Sequence, residues 1–372
     1  MTGHSDAGVR NPLGEQLDNH LRSFQEAQSR LRTRLISVDW AQLDVSEYTR
    51  RYVMSQLVSS AYLGTFTQVL AQAANDWSRD LKEMSLLELG GGTGLQSLLA
   101  IEAGVGHVTF NDIYDGSCRD SAIIANAVGL EIPVVICGDA PQLVETINAS
   151  DRVPDRVISY DVLEHIYDIS SHFREMAKLN AGDLRLFYAS GANAYNPRYV
   201  HQVKKIQIQV DQSGQDATPG HKDRDSLLPY RQIRSSIIRN AAPHLDDKTV
   251  LELAERSRGL RIGDIETAVL DPYLNGLPTY APSHPTNTCD PMTGNWCEQL
   301  LSFEDINSMA KASGLRAQFG FGRYATSGHQ PQDFVRRSLN LAMGMLGRHG
   351  LRLAPYYFVS LTRASKVSTN SP

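Results

Sequence analysis

The sequence predicts an α/β fold whose core is a doubly wound sheet of seven strands. Between Met84 and Leu361, short apolar runs alternate with helical patterns, as in chains that pass repeatedly from strand to helix. The second, third and fourth runs also end at acidic residues, Asp112, Asp139 and Asp161. Open α/β sheets bind ligands at the carboxyl ends of their strands. The pattern therefore predicts both the fold class and the edge of the sheet that binds a ligand.

The predicted strands fall into two groups. Five follow one another with helical patterns between them, and two more follow a long interruption, so that a single sheet is expected to resume after an insertion. The predicted strands are Met84–Leu89, His107–Asp112, Pro133–Asp139, Arg156–Tyr160, Leu184–Tyr188, Leu315–Phe321 and Tyr356–Leu361.

The chain divides into a helical start, a core in two pieces, a mainly helical insertion and a tail. Residues 271–295 of the insertion hold too many prolines and glycines for a helix or a central strand, and such long irregular runs commonly serve as lids. We therefore expect the insertion to form a cap over the substrate that is bound at this edge of the sheet. The predicted parts are an N-terminal helical segment at 1–80, the core at 81–195 and 300–364, the insertion at 196–299 and a disordered tail at 365–372.

The N-terminal helical segment contains two amphipathic patterns, one from Glu15 to Leu35 and one that Ser46 caps. Three roles stay open for it. It packs on the core, it forms a homodimer surface, or it is a lid whose aromatic residues Tyr48, Tyr52 and Tyr62 border a ligand.

Composition favours a small-molecule partner over a nucleic acid. The formal net charge is −5 and the pI is near 6.1, which disfavours a generally basic surface. The four cysteines form no C-x-x-C pair, and no apolar run approaches the ~18 residues that span a bilayer. We expect a cytoplasmic protein without a metal site.

The first predicted strand turns into a loop that carries Gly90, Gly92 and Gly94, followed by a helix. Glycines permit positive φ and let a ligand approach the backbone at a helix N-terminus. A dinucleotide motif, G-x-G-x-x-G, would need glycine at Leu95, and no Gly-Lys-Ser/Thr follows for a triphosphate loop. The loop is thus predicted to bind a nucleotide-type ligand of another class.

Two segments carry a family resemblance. The sequence from Glu88 to Gly94 resembles the E/D-x-G-x-G-x-G motif of class I S-adenosylmethionine-dependent methyltransferases, and Asp161 to His165, D-V-L-E-H, is similar to small-molecule and quinone-type members. The resemblance covers roughly 80–190 and 300–363. It implies S-adenosylmethionine as methyl donor, S-adenosylhomocysteine as product, and a Rossmann-like methyltransferase sheet.

The resemblance also implies roles for single residues at the cofactor. Glu88 orders the glycine loop and reaches the cofactor's ammonium, while Tyr160 and Asp161 lie against its methionine part. Asp139 accepts a hydrogen bond from the adenine amino group, or caps the next helix, and the N–H of Ala140 donates to the ring.

Asp112 is predicted to bind the ribose hydroxyls on two grounds. It matches the family's acid, and it lies 18 positions after Gly94, close to the ~20-residue offset of ribose-binding acids. Asn111 is the nearest rival for this position.

Methyl transfer is an in-line displacement that requires alignment and, for a weakly acidic acceptor, a base. Glu164 and His165 are predicted to open the next helix on the acceptor side, and His165 and His284 are the catalytic candidates. His201 and His221 are less favoured alternatives. The sequence thus predicts methyl transfer to a small organic acceptor, at oxygen, in specialised metabolism. Alternatives are an RNA or protein methyltransferase and an S-adenosylmethionine-binding protein without transferase activity.

Overall fold

The computed structural model describes residues 12–54, 60–216, 222, 224–270, 285–326 and 331–364. These residues contain a seven-stranded sheet with the strand order β3-β2-β1-β4-β5-β7-β6. β1 to β5 are parallel, whereas β7 lies antiparallel between β5 and β6. The strands are β1 (Ser85–Leu89), β2 (His107–Asp112), β3 (Val134–Cys137), β4 (Arg156–Tyr160), β5 (Arg185–Ser190), β6 (Leu315–Phe321) and β7 (Tyr357–Arg363).

The structure confirms the predicted seven-stranded sheet. The prediction succeeds because the buried strands leave a clear pattern of apolar residues in the sequence. β1 lies at the centre, pairs with β2 and β4, and buries all of its residues after Ser85. A strand that is covered on both faces needs a continuous apolar run, and Leu86, Leu87 and Leu89 supply it. The parallel order brings the ends of β1, β2 and β4 to the same edge.

Helices cover both faces of this sheet, and four of them belong to the insertion. In the described residues no helix is long and apolar enough to cross a membrane. The helices are α1 (Pro12–Ser37), α2 (Glu47–Tyr52), α3 (Ser60–Ala73), α4 (Leu95–Glu102), α5 (Asp115–Ala127), α6 (Ala140–Asn148), α7 (Ile169–Met176), α8 (Pro197–Gln212), α9 (Tyr230–Ala241), α10 (Asp247–Arg256), α11 (Ile262–Leu270), α12 (Phe303–Ala312) and α13 (Pro331–Leu346).

Three local features differ from the sequence-based expectation. Two of them are α8 and α11 of the insertion, where the sequence predicts helices over 230–240 and 248–258 but not at these two places. Much of the surface of α8 is exposed and polar, although Asn196 caps it and Val203 is buried. The third is the segment from Leu163 to His165, a separate 3₁₀ turn. Glu164 and His165 therefore do not open the next helix, which starts at Ile169 after its own cap.

The N-terminal helices pack on the sheet core. Phe24, Leu31 and Leu35 of α1 are almost fully buried and belong to the same apolar cluster as β1, β2 and α4. At the rim of this contact, Nε of Arg30 lies 2.6 Å from a carboxylate oxygen of Glu102 at the end of α4. The packing of α1 is thus continuous with the core.

We predict that Leu31→Ala lowers the free energy of unfolding of the whole protein by about 2–5 kcal/mol, because it opens a cavity in that shared core. Urea denaturation followed by circular dichroism measures the effect. Leu21→Ala on the same helix is the control, since Leu21 is 37% exposed, and it should change little. An unaltered main transition in Leu31→Ala would show that α1 is not part of the cooperative core.

Candidate functional site

The glycine loop at the end of β1 depends on backbone conformations that favour glycine. Gly90, Gly92 and Gly94 have φ of 64°, 56° and 75°. A Cβ atom at Gly90 would lie 2.6 Å from a methyl group of Val162. Gly94 is the N-cap residue of α4, so that the loop presents backbone beside a helix N-terminus.

The end of β2 fixes this loop in place. The carbonyl of Asn111 accepts a hydrogen bond from the N–H of Gly91 at 2.9 Å, and Oδ2 of Asp112 accepts one from the N–H of Gly92 at 2.9 Å. Oδ1 of Asp112 accepts a further bond from the N–H of Tyr114. Each carboxylate oxygen has a second lone pair, so Asp112 retains the capacity to bind hydroxyl groups.

Lys222 of the insertion was not foreseen at this position. Its Nζ lies 3.6 Å from Oδ1 of Asp112 and 5.4 Å and 5.3 Å from the ring centroids of Tyr48 and Tyr114. Asp112 is only 2% exposed. A ribose that reaches Asp112 therefore has to displace the Lys222 ammonium or share the carboxylate with it.

Asn111, the rival for the ribose-binding role, is tied to the neighbouring strand through its side-chain donors. Its side-chain amide donates hydrogen bonds to the carbonyls of Ile136 and Gly138 at 2.9 and 3.0 Å, which tie β2 to β3. Both donors of this amide are thus occupied by the backbone of the neighbouring strand, which leaves only Oδ1 of Asn111 to accept a ribose hydroxyl, and the choice between Asp112 and Asn111 stays a prediction.

Glu88 lies beneath the loop and not at its surface. It is 3% exposed, and its Oε2 accepts hydrogen bonds from the N–H of Ser97 at 2.8 Å and from the Ser97 hydroxyl. Burial raises the pKa of Glu88 to about 8, against the two bonds from Ser97, which lower it. These contacts connect β1 to the first turn of α4, as expected of a loop-ordering residue; a contact with the cofactor's ammonium stays a prediction.

Asp139 and Ala140 lie at the start of α6. Oδ1 of Asp139 accepts a hydrogen bond from the N–H of Gln142 at 3.2 Å, and the Gln142 side chain completes a capping box. Asp139 is exposed at the same sheet edge as the glycine loop. The helix cap is thus present, and adenine binding by Asp139 and Ala140 stays a prediction.

Asp161 closes the site on the β4 side. It has φ of 54°, although it is not a glycine, and its Oδ1 accepts a hydrogen bond from the N–H of Gly191 at 2.6 Å. Burial raises the pKa of Asp161 well above its usual range, and the carboxyl groups of Glu164 and Glu298 raise it further. A cationic group placed here would offset this cost.

Tyrosines from the N-terminal helices border the same edge. The Tyr48 hydroxyl lies 3.4 Å from the position of a Cβ at Gly92, and the Tyr48 ring stacks on Tyr52. The Tyr52 and Tyr62 hydroxyls are 2.5 Å apart, and the Tyr62 ring meets Tyr160 edge to face. The three tyrosines therefore combine packing on the core with contact to the glycine loop and to β4.

His165 is held in one orientation and one tautomer. Its Nδ1 lies 2.7 Å from the backbone carbonyl of Trp296, so that this nitrogen carries the proton and donates it. Its Nε2 lies 3.9 Å from Oε1 of Glu298. Glu298 was not foreseen, because it belongs to the insertion and nothing in its local sequence marks it as a site residue.

Glu164, the neighbour of His165, is completely buried. Oε1 of Glu164 accepts a hydrogen bond from the Ser190 hydroxyl at 2.6 Å. Burial and the charge of Glu298 raise the pKa of Glu164 well above its usual range. Glu164, His165 and Glu298 form one polar cluster beside Asp161.

The remaining histidine predictions fall elsewhere. His284, the second catalytic candidate, and His221 lie outside the described residues, as does most of the proline-rich run from 271 to 295. His201 is exposed on α8.

The strand order described above is typical of class I S-adenosylmethionine-dependent methyltransferases. The fold that the sequence resemblance implied is therefore confirmed. No family model matches the chain, and no curated protein matches it.

Solved structures with a similar fold include several methyltransferases. An S-adenosylmethionine-dependent methyltransferase from Mesorhizobium loti is 11% identical, with 82% of this chain and 98% of that chain covered and a TM-score of 0.39. Magnesium protoporphyrin IX methyltransferase from Synechocystis PCC 6803, with bound S-adenosylhomocysteine, is 14% identical, with 83% and 88% covered and a TM-score of 0.37. Because these likenesses are weak, the case for function rests on the side chains described above.

We predict that Glu88→Gln reduces the loss of stability between pH 5 and pH 8. A pKa near 8 in the folded protein and about 4.5 in the unfolded chain means that the folded state holds more protons in this range, so stability falls as pH rises. The neutral amide of glutamine does not titrate, so the variant lacks this contribution to the pH dependence of stability. We expect the pH-dependent difference between variant and wild type to be about 1 kcal/mol or more, because one pKa unit corresponds to roughly 1.4 kcal/mol.

Urea denaturation at the two pH values measures this difference. Glu145→Gln is the matched control, since Glu145 is exposed on α6. Parallel pH profiles of wild type and Glu88→Gln would contradict the assignment of a protonated, buried Glu88.

Proposed function

We propose that the protein transfers a methyl group from S-adenosylmethionine to an oxygen atom of a small organic acceptor. One observation carries the proposal: a glycine loop with positive φ, its anchoring carboxylate Asp112 and the half-buried Asp161 lie at one edge of the sheet. This arrangement suits a ligand that combines ribose hydroxyls with positive charge. S-adenosylmethionine has both, whereas the loop lacks the lysine that a triphosphate requires.

The donor would lie along the ends of β1, β2 and β4. Asp112 would accept the ribose hydroxyls, Asp139 and Ala140 would bind the adenine, and Glu88 would keep the loop in shape. Gly90 and Gly92 would allow close approach of the methionine part. Tyr160 and Asp161 would border that part, where a neighbouring cation would offset the raised pKa of the Asp161 carboxyl.

The acceptor would lie on the side of His165. Nε2 of His165 would be the ring nitrogen that interacts with an acceptor hydroxyl, because Nδ1 is held by the Trp296 carbonyl. In the transfer, the acceptor oxygen forms a bond to the methyl carbon while the carbon–sulfur bond breaks and its electron pair goes to sulfur. The acceptor proton leaves to the site or to solvent, and the product is S-adenosylhomocysteine.

A small acceptor is supported by the crowding of this edge. Tyr48 and Tyr52 of α2 stack on each other beside the glycine loop, Tyr199 of α8 binds Glu298, and the Trp296 carbonyl of the insertion binds His165. The formal net charge of −5 also gives no general attraction for nucleic acid. A cytoplasmic location and a role in specialised metabolism belong to the same proposal.

The proposal is tested by calorimetric titration with S-adenosylmethionine, followed by incubation with small phenols, hydroxy acids and carboxylic acids while S-adenosylhomocysteine is measured. We expect binding near one equivalent per chain and turnover of at least one acceptor class. Absence of binding would contradict the proposal. Turnover of RNA or peptide with steep salt dependence would support a macromolecular acceptor instead, and binding without any turnover would support a non-catalytic role.

We predict that Asp112→Asn weakens binding of S-adenosylhomocysteine by about 10- to 100-fold, or roughly 1–3 kcal/mol, because a charged hydrogen-bond acceptor is lost. The sharper measurement compares this ligand with its 2′-deoxy analogue. Wild type should prefer the ribose ligand, and the variant should lose most of this preference. If Asp112→Asn discriminates as well as wild type, Asp112 does not bind the 2′-hydroxyl.

A further inference from the structure

Glu164, His165 and Glu298 bring three potential metal ligands together from two distant parts of the chain. One oxygen from each carboxylate and one imidazole nitrogen lie within 4.8 Å of one another. The distance from Nε2 of His165 to Oε1 of Glu298 is 3.9 Å. The cluster therefore offers a mixed nitrogen and oxygen donor set at the acceptor side of the proposed site.

The other polar atom of each side chain is held by a neighbour, which orients the remaining donor atom. Such outer contacts are typical of metal ligands, and a metal-binding histidine nearly always donates its second N–H to an oxygen. The three contacts run from Nδ1 of His165 to the Trp296 carbonyl at 2.7 Å, from the Tyr199 hydroxyl to Oε2 of Glu298 at 3.0 Å, and from the Ser190 hydroxyl to Oε1 of Glu164 at 2.6 Å.

The backbone of Glu298 is fixed as well. The side-chain amide of Gln207 on α8 donates to the Glu298 carbonyl at 2.9 Å, and Gln207 is fully buried. The insertion therefore delivers the Glu298 carboxylate to a defined place beside His165.

An independent observation indicates that a partner belongs in this cluster. Glu164 is fully buried, and its Oε2 receives no hydrogen bond from a donor group of the described residues, while the Asp161 carboxyl lies within hydrogen-bonding range of the Glu164 carboxyl. Oε1 is bound to Ser190, so Oε2 is the oxygen left for a ligand. A buried polar atom without a partner destabilises the fold unless a ligand satisfies it. In the described part of the chain, no lysine or arginine forms an ion pair with Glu164, Glu298 or Asp161.

We propose that Glu164, His165 and Glu298 bind a divalent transition-metal cation such as Mn²⁺ or Zn²⁺. Imidazole favours transition metals and carboxylates favour harder cations, so a mixed set suits the divalent ions that accept both. Ligand atoms around a tetrahedral ion are about 3.3 Å apart when the bonds are near 2.0 Å. Nε2 of His165 and Oε1 of Glu298, now 3.9 Å apart, would have to approach by roughly 0.6 Å to reach this spacing, and the most widely separated atoms of the cluster, within 4.8 Å, by more.

The consequence for methyl transfer rests on the proposed function, whereas cation binding does not. A cation held by three protein ligands keeps open positions, at which an acceptor hydroxyl can bind and become more acidic. Nε2 of His165 would then be a metal ligand and not the base, and the acceptor proton would leave to water. The cation would also position the acceptor oxygen for in-line attack on the methyl carbon.

The test uses the full chain, stripped with EDTA and titrated with Mn²⁺ under electron paramagnetic resonance. We expect one Mn²⁺ per chain, displaced by Zn²⁺. His165→Ala and Glu298→Gln should each weaken Mn²⁺ binding more than tenfold, and the positioning variant Tyr199→Phe about tenfold. Glu145→Gln, which removes an exposed carboxylate on α6, should bind as wild type does.

Two results would overturn the inference. One is a wild-type protein that binds no stoichiometric Mn²⁺, as expected if an amine of the cofactor or acceptor is the missing partner. The other is equal Mn²⁺ binding by wild type and all cluster variants, which would mark adventitious sites. Calorimetric titration of the stripped protein with S-adenosylmethionine separates the two proposals. If the protein binds S-adenosylmethionine but no Mn²⁺, the metal site is contradicted and the proposed function is not. The same titration and the melting temperature confirm that each variant is folded.

Discussion

The anchoring of the glycine loop to the end of β2 is the constraint on which the rest of the site depends. The N–H groups of Gly91 and Gly92 are both held there, one by the Asn111 carbonyl and one by the Asp112 carboxylate. Beneath the loop, Glu88 binds the first turn of α4 through Ser97. Positive φ at three glycines is therefore stabilised from two sides, and the backbone stays open toward the ligand.

The sheet could be predicted because its physical causes are local. Parallel strands that are covered on both faces need short apolar runs, which are visible in the sequence. The starts of the helices between them are marked by capping residues such as Asp139 and Ser302. Helix α8 escaped prediction for the opposite reason. Its buried side includes Gln207, whose polar side chain is satisfied by the distant Thr286 and Asn287 and by carbonyls of the insertion. No pattern of apolar residues could reveal such a face.

The residues of the proposed site also fall into a group that the sequence indicates and a group that it does not. Residues that follow strands in sequence, from Glu88 to Asp161, could be identified from spacing and motif. Lys222, Tyr199 and Glu298 could not, because tertiary packing brings them to the edge of the sheet from the insertion. The raised pKa values of Asp161 and Glu164 follow from this packing, and the part of the proposed site beside His165 is rich in acid groups. The methyl donor can thus be inferred from the sequence, whereas the residues that would contact the acceptor are brought together only by the fold.

A crystal structure of the protein with S-adenosylhomocysteine tests the central claim most directly. We expect the ribose hydroxyls on Asp112, the adenine beside Asp139 and Ala140, and the sulfur between the glycine loop and Asp161, with the open side toward His165. Density for the ligand at any other surface, or a ribose that does not contact Asp112, would contradict the account.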